Sequence, residues 1–189
     1  NHASHWDIPV AWYALRRHKG LTVRMLAKKE LSKIPVWGPA LGRAGFIFID
    51  RKDREAAIRS YAAVRAALAA GTTFWISPEG GRSADGRLMP FKKGPFITAI
   101  ESRAPIVPMA LRGVHRVLPK PAFFTRGLQT VEAIIGERID TAPYAEGGTE
   151  ARDALMARVH AWYAQVLAPE QSPAPGKEAP IAVQGAAAG

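Results

Sequence analysis

The residues that can do chemistry stand first in the chain, in Asn1-His2-Ala3-Ser4-His5-Trp6-Asp7. His2, the side-chain type most used for proton transfer, precedes the carboxylate of Asp7 by five residues. Neighbours on one helical face sit three or four residues apart, so this spacing does not pair them on a helix. The reading is instead a turn that folds His2 back on Asp7. Asp7 then serves as N-cap of a helix whose buried side is the apolar and aromatic run Ile8 to Leu15. A carboxylate so placed accepts the imidazole N–H, fixes the tautomer and leaves the other ring nitrogen free to take a proton. His2 would be a general base and Asp7 its orienting group. Taken alone, a His and an Asp at this spacing favour the plainer reading of a polar residue beside a cap, since short motifs match by chance. The rest of the chain decides.

A second stretch, Pro78-Glu79-Gly80-Gly81-Arg82-Ser83, has the parts of a phosphate site. Adjacent glycines let backbone N–H groups approach an anion, and a guanidinium grips two phosphate oxygens at once. Lys92 and Lys93 lie near in sequence and add positive field. The same residue types also make a plain surface turn. His2, His5 and Asp7 form an incomplete ligand set for zinc, so no metal is expected and His5 reads as a packing or turn residue.

The elements that must position these groups alternate along the chain. The first helix ends near Gly20, and Leu21 to Ala27 reads as a strand that delivers Lys28 to its end. After a segment rich in Pro and Gly, Phe46 to Ile49 is a buried strand ending on Asp50-Arg51. A helix from Asp53 to Ala70, a strand from Thr72 to Ile76, a helix from Phe96 to Ser102 and a strand from Ile106 to Leu111 follow. Leu128 to Ile135 reads as one more strand and Glu150 to Leu167 as a closing amphipathic helix. This alternation argues for an α/β fold, a mostly parallel sheet flanked by helices. Sites in such sheets gather at the carboxyl ends of strands, which sets Lys28, Arg51 and the loop Glu79 to Arg82 on one edge.

The 189 residues fit one domain with a sizeable core, expected over 1–167, followed by a Pro, Ala and Gly-rich tail over 168–189 expected to be disordered. The absence of cysteine excludes disulfides, thiolate metal sites and a cysteine nucleophile. Residues 1–129 carry 22 Lys and Arg against 8 Asp and Glu, a balance of +14, whereas residues 130–189 stand at −4. A basic first part implies an anionic partner. Trp6, Trp12 and Tyr13 beside Arg16, Arg17 and Lys19 suit a membrane interface, and equally a core-facing helix with a basic end. No stretch approaches the roughly 18 apolar residues of a membrane span. The chain opens without Met inside its own motif, which reads as a fragment whose preceding part would hold any membrane anchor.

Four stretches together resemble the glycerolipid acyltransferase family, most nearly its 1-acylglycerol-3-phosphate acyltransferases. They are Asn1-His2-x-Ser4-x-x-Asp7, then Lys28-Lys29-Glu30-Leu31 with Ile34-Pro35, Trp37-Gly38 and Gly45-x-x-x-Ile49-Asp50-Arg51. Pro78-Glu79-Gly80-x-Arg82-Ser83 with Pro90-Phe91-Lys92-x-Gly94 comes third, and the apolar block Ala104-Pro105-Ile106-Val107-Pro108 last. Gly81 stands where the family usually has Thr, and Ser77 where an aromatic residue usually precedes the Pro. The resemblance implies a glycerol-3-phosphate acyltransferase-like fold. It further implies transfer of a fatty acyl group to a lysophospholipid hydroxyl, giving phosphatidic acid. The donor would be acyl-CoA or acyl-ACP (acyl carrier protein), a co-substrate rather than a cofactor. Lys28, Arg51, Gly80 and Arg82 would hold the acceptor phosphate, with Glu79 either holding Arg82 or accepting a glycerol hydroxyl. The expected place is the cytoplasmic face of a membrane. Another lysolipid acceptor, or a noncatalytic module for anionic lipid, are the other readings. No nucleic acid partner is expected, because the five Trp are scattered rather than aligned on one basic face.

Overall fold

A computed structural model describes residues 1–171 except 22, 119–124, 126 and 128. Helix α1 (Asp7–Lys19) leads into β1 (Val23–Lys28), α2 (Trp37–Arg43), β2 (Ile47–Ile49), α3 (Arg54–Ala69) and β3 (Thr73–Trp75). After these come α4 (Lys93–Glu101), β4 (Met109–Arg112), α5 (Val114–Val117), β5 (Glu132–Ile135) and α6 (Gly148–Gln171). Strands β2, β1 and β3 form a parallel sheet in that order, with Leu26 opposite Ile47 and Met25 opposite Trp75. Their carboxyl ends therefore share one edge. Because α1 runs back before β1 begins, its first residue, Asp7, returns to that same edge.

Two expectations change at the fourth strand. The strand read over Ile106 to Leu111 begins only at Met109. Pro105 and Pro108 have no N–H to give a ladder, so before Met109 the segment makes only an isolated antiparallel bridge, Ile106 with Ile139, and the continuous ladder starts beyond Pro108. Strand β4 then pairs antiparallel with β5 in a two-stranded sheet of its own, with Met109 opposite Ile135. The closing helix also runs past the boundary placed at 167, to Gln171. The rest of the tail, 172–189, lies outside the described residues, as does part of the strand read over Leu128 to Ile135.

The core explains the layering. On α1, Ala11, Ala14 and Leu15 recur at helical spacing and pack against Val23, Met109, Leu111 and Ala133. On the opposite face Ala110 packs with Phe96 of α4 and with Leu155, Val159, Tyr163 and Leu167 of α6. Alternate residues of β4 thus face opposite layers, as the pleat requires. Each fully buried Leu contributes about 1.5–3 kcal/mol. Among the described residues, no helix is long and apolar enough to cross a membrane.

The segment that joins β1 to β2 turns tightly on Gly38, which is buried in α2. A Cβ there would lie 2.0 Å from the carbonyl oxygen of Ser32. Backbone cannot swing aside as a side chain can. Gly38→Ala is expected to lower stability by about 1–3 kcal/mol, read as a lower urea midpoint at unchanged slope.

Candidate active site

The turn read at the start of the chain is present, and its purpose is to aim a ring. His2 Nδ1 lies 2.5 Å from Asp7 Oδ2, and the same oxygen accepts the backbone N–H groups of Ala3 at 2.8 Å and Ser4 at 3.0 Å. A carboxylate oxygen already turned toward two donors can only accept from the ring as well, so Nδ1 carries the hydrogen and Nε2 presents its lone pair. The Asp7 side chain is buried, whereas that of His2 keeps 20% of its surface in solvent. Asp7 is not the N-cap of α1: that position falls to Trp6, which makes no side-chain cap bond, and Asp7 is the first helical residue. An N-cap at Asp7 would have met Pro9 two residues on, which has no N–H to give. The carboxylate points backward into the turn instead.

The turn is locked to the loop after β3 by the backbone on both sides of the ring. His2 N donates to Glu79 Oε1 at 2.7 Å, and His2 O accepts from Ser83 N at 2.8 Å. The second oxygen of Glu79 accepts Met89 N at 2.8 Å. Glu79 is buried and makes no ion pair with Arg82, so it braces the His2 turn rather than the guanidinium. Burial holds its carboxyl above the ordinary value against the opposing pull of the amide donors. Asn1 fastens the other side: its side chain donates to Leu111 O at 2.9 Å and accepts Leu111 N at 2.8 Å, in the manner of a strand. Ser4 is wholly buried, and its hydroxyl donates to Leu118 O at 3.3 Å.

Arg82 stands beside this turn. Burial first, and then the positive charge of Arg82, hold the His5 imidazole below its ordinary value. Among the described residues Arg82 has no hydrogen-bond or ion-pair partner. Gly80, two residues earlier, sits at φ +71°, a conformation that L side chains rarely adopt. Lys28 and Arg51 do lie at the carboxyl edge, at the end of β1 and just beyond β2. Lys28 is exposed and pairs with Glu30 at 3.2 Å. Among the described residues no hydrogen bond or ion pair ties Lys28 or Arg51 to the His2 and Arg82 group. The compact part of the site is His2, Asp7, Glu79, Gly80 and Arg82.

An apolar cavity of about 160 Å³ opens next to it, lined among others by Leu68, Phe74, Trp75, Ile106, Met109 and Tyr163. It lies where β3 and β4 fail to pair. Trp75 belongs to both places, since its ring also meets the His2 ring edge-on with centroids 6.4 Å apart. Such a slot suits a hydrocarbon chain whose reacting end faces the imidazole.

Asn1, Ser4, Trp75 and the Met89 amide carry the site without having been singled out for it. Asn1 and Ser4 were visible as members of the opening motif; nothing in the sequence marked Trp75 or Met89.

A family model described as Acyltransferase matches residues 1–112. A 1-acyl-sn-glycerol-3-phosphate acyltransferase of Limnanthes alba is 42% identical over 128 residues, 67% of this chain and 44% of that protein. The protein of the same description from Cocos nucifera is 41% identical over 130 residues, 64% of this chain and 41% of its own. The chain thus spans less than half the length of these relatives. A crystal structure of the 1-acyl-sn-glycerophosphate (LPA) acyltransferase, PlsC, from Thermotoga maritima is similar with a TM-score of 0.70 and 26% identity. That likeness covers 93% of this chain and 66% of the other.

Proposed function

The chain belongs to the acyltransferase family, and from that premise we propose that it moves a fatty acyl group from an acyl thioester to the free hydroxyl of 1-acylglycerol-3-phosphate, giving phosphatidic acid. The observation that carries the proposal is the His2 ring, held through Nδ1 by a buried carboxylate that is itself fixed by two amides. Nε2 takes the proton of the acceptor hydroxyl as its oxygen attacks the thioester carbonyl. The tetrahedral adduct collapses, the carbon–sulfur bond breaks, and the proton passes from His2 to the departing thiolate. The product is an ester and a free thiol. Asp7 stabilises the imidazolium between these steps. No covalent enzyme intermediate is called on, and the mechanism uses side chains alone, without metal or cofactor.

Arg82 supports a phosphorylated acceptor, because it is a cation without a described partner in the loop bonded to the His2 backbone. The apolar cavity behind Trp75 supports a hydrocarbon group beside the imidazole. Trp6 at the N-cap of α1, Trp12 and Tyr13 within it and Trp37 of α2 leave 42%, 45%, 67% and 67% of their surface in solvent, which supports attachment to a membrane surface. Lys28 and Arg51, on the same edge, would draw in anionic lipid from further out. Acyl-CoA and acyl-ACP both fit the chemistry as donor.

Mass spectrometry of the products tests the reading. Phosphatidate formed from lysophosphatidate with either donor supports it, whereas product from a different lysolipid alone would move the proposal to that acceptor. Arg82→Ala sharpens the test. Loss of a charge-assisted contact is worth about 1.5–3 kcal/mol, so KM for lysophosphatidate should rise by about 10- to 100-fold. With phosphate-free 1-acylglycerol as acceptor the variant should match wild type, and an equal loss with both acceptors would remove Arg82 from the phosphate site.

A further inference from the structure

We propose that Lys92 is a second cation of the acceptor-phosphate site, reaching it across the face of Gly80; this rests on the reading of Arg82 as a phosphate ligand. The position of Lys92 is fixed from both sides. Its N–H donates to Pro78 O at 2.7 Å, and its neighbour Phe91 is wedged among Phe96, His160 and Tyr163 with ring centroids 5.9, 5.1 and 5.7 Å away. The side chain then lies along the loop. A Cβ on Gly80 would stand 3.1 Å from Lys92 Cγ, 3.7 Å from Cε and 4.0 Å from Cδ. Three successive stem positions within that range mean that the aliphatic stem runs over Gly80 and leaves only the ammonium beyond it. A lysine stem covering apolar backbone while its head stays wet is common behaviour.

The charge balance of the loop gives that ammonium something to do. Residues 77–93 hold two acids, Glu79 and Asp85. Glu79 is taken by the amides of His2 and Met89. Asp85 is taken by the Ser83 hydroxyl and the Arg87 N–H, each at 3.0 Å. Among the described residues neither Arg82 nor Lys92 has an ion-pair partner. Of the three cations of 77–93 without an ion-pair partner among the described residues, Lys93 opens α4, while Arg82 and Lys92 are the two beside the glycines; together these two favour a group with about two negative charges, and a phosphate monoester carries that charge near neutral pH. The acceptor's glycerol phosphate is such a group, and so is any phosphate monoester on the donor.

Binding and kinetics separate these cases. Calorimetry with sn-glycerol 3-phosphate, with glycerol as control, should show affinity falling about tenfold in Lys92→Gln and staying within about threefold of wild type in Lys92→Arg. In turnover, Lys92→Gln should raise KM for lysophosphatidate and leave KM for the acyl donor and the rate with 1-acylglycerol unchanged. Equal affinity of wild type and Lys92→Gln for glycerol 3-phosphate would overturn the proposal. So would a shift in KM for the donor alone, or wild-type chain that binds glycerol 3-phosphate no better than glycerol. Lys92-dependent binding of glycerol 3-phosphate by a chain that transfers no acyl group would retire the proposed function and leave the Lys92 site standing.

Discussion

His2→Ala should slow acyl transfer by about 10²–10⁴-fold, the range that positioned general-base help supplies. The fold should survive it. The side chain makes one hydrogen bond, to Asp7, and one edge contact with Trp75, while the backbone of residue 2 keeps its bonds to Glu79 and Ser83 whatever side chain it bears. Stability should therefore fall by no more than about 1 kcal/mol. Paired measurements check this: kcat under saturating donor and acceptor, and the urea midpoint of the same preparation. A large loss of turnover beside a near-native midpoint is the expected pair. An unchanged rate would remove His2 from the chemistry, and a collapsed midpoint would mean that the ring is structural.

Asp7→Asn should be as damaging to the rate and more damaging to the fold. All three donors converge on Oδ2, so an amide oxygen in that place can still receive Ala3 and Ser4. The neutral amide oxygen still accepts the ring N–H but no longer stabilises an imidazolium. Where a carboxylate orients a catalytic histidine, this exchange costs about 10⁴ in rate. The second amide position then buries two N–H donors with no described acceptor, worth about 1–3 kcal/mol of stability. The two variants thus share a loss of turnover and differ in the denaturation midpoint. Equal stability of Asp7→Asn and wild type would show that the turn does not depend on the carboxylate's charge.

The parts of the site that were legible in the sequence are those whose partners lie close by along the chain. His2 and Asp7 could be paired because a turn is a local event, and the edge that holds them followed from strand and helix alternation. The bracing of the His2 turn by Glu79 was not legible, because it runs through backbone amides, one of them 77 residues away, and no side-chain pattern announces such a bond. Asp7 was misread as a cap because a helix-start signal is the same whether the carboxylate points forward or back. The antiparallel pairing of β4 with β5 escaped for a related reason: alternation predicts that strands exist, whereas strand order depends on which neighbours can offer N–H groups. Lys92 was noticed only as nearby charge. Its course over Gly80 depends on the anchoring of Phe91 in the α4 and α6 layer, which no local motif reports.

The most direct measurement is the rate of thiol release from acyl-coenzyme A and from acyl carrier protein, with and without lysophosphatidate, for wild type and His2→Ala side by side. The predicted result is release by wild type only when lysophosphatidate is present, from at least one donor, with phosphatidate formed in equal amount and both lost in His2→Ala. Release that ignores the acceptor, or survives the loss of His2, would contradict a base that activates the acceptor hydroxyl. Silence with both donors would contradict the acyltransferase itself.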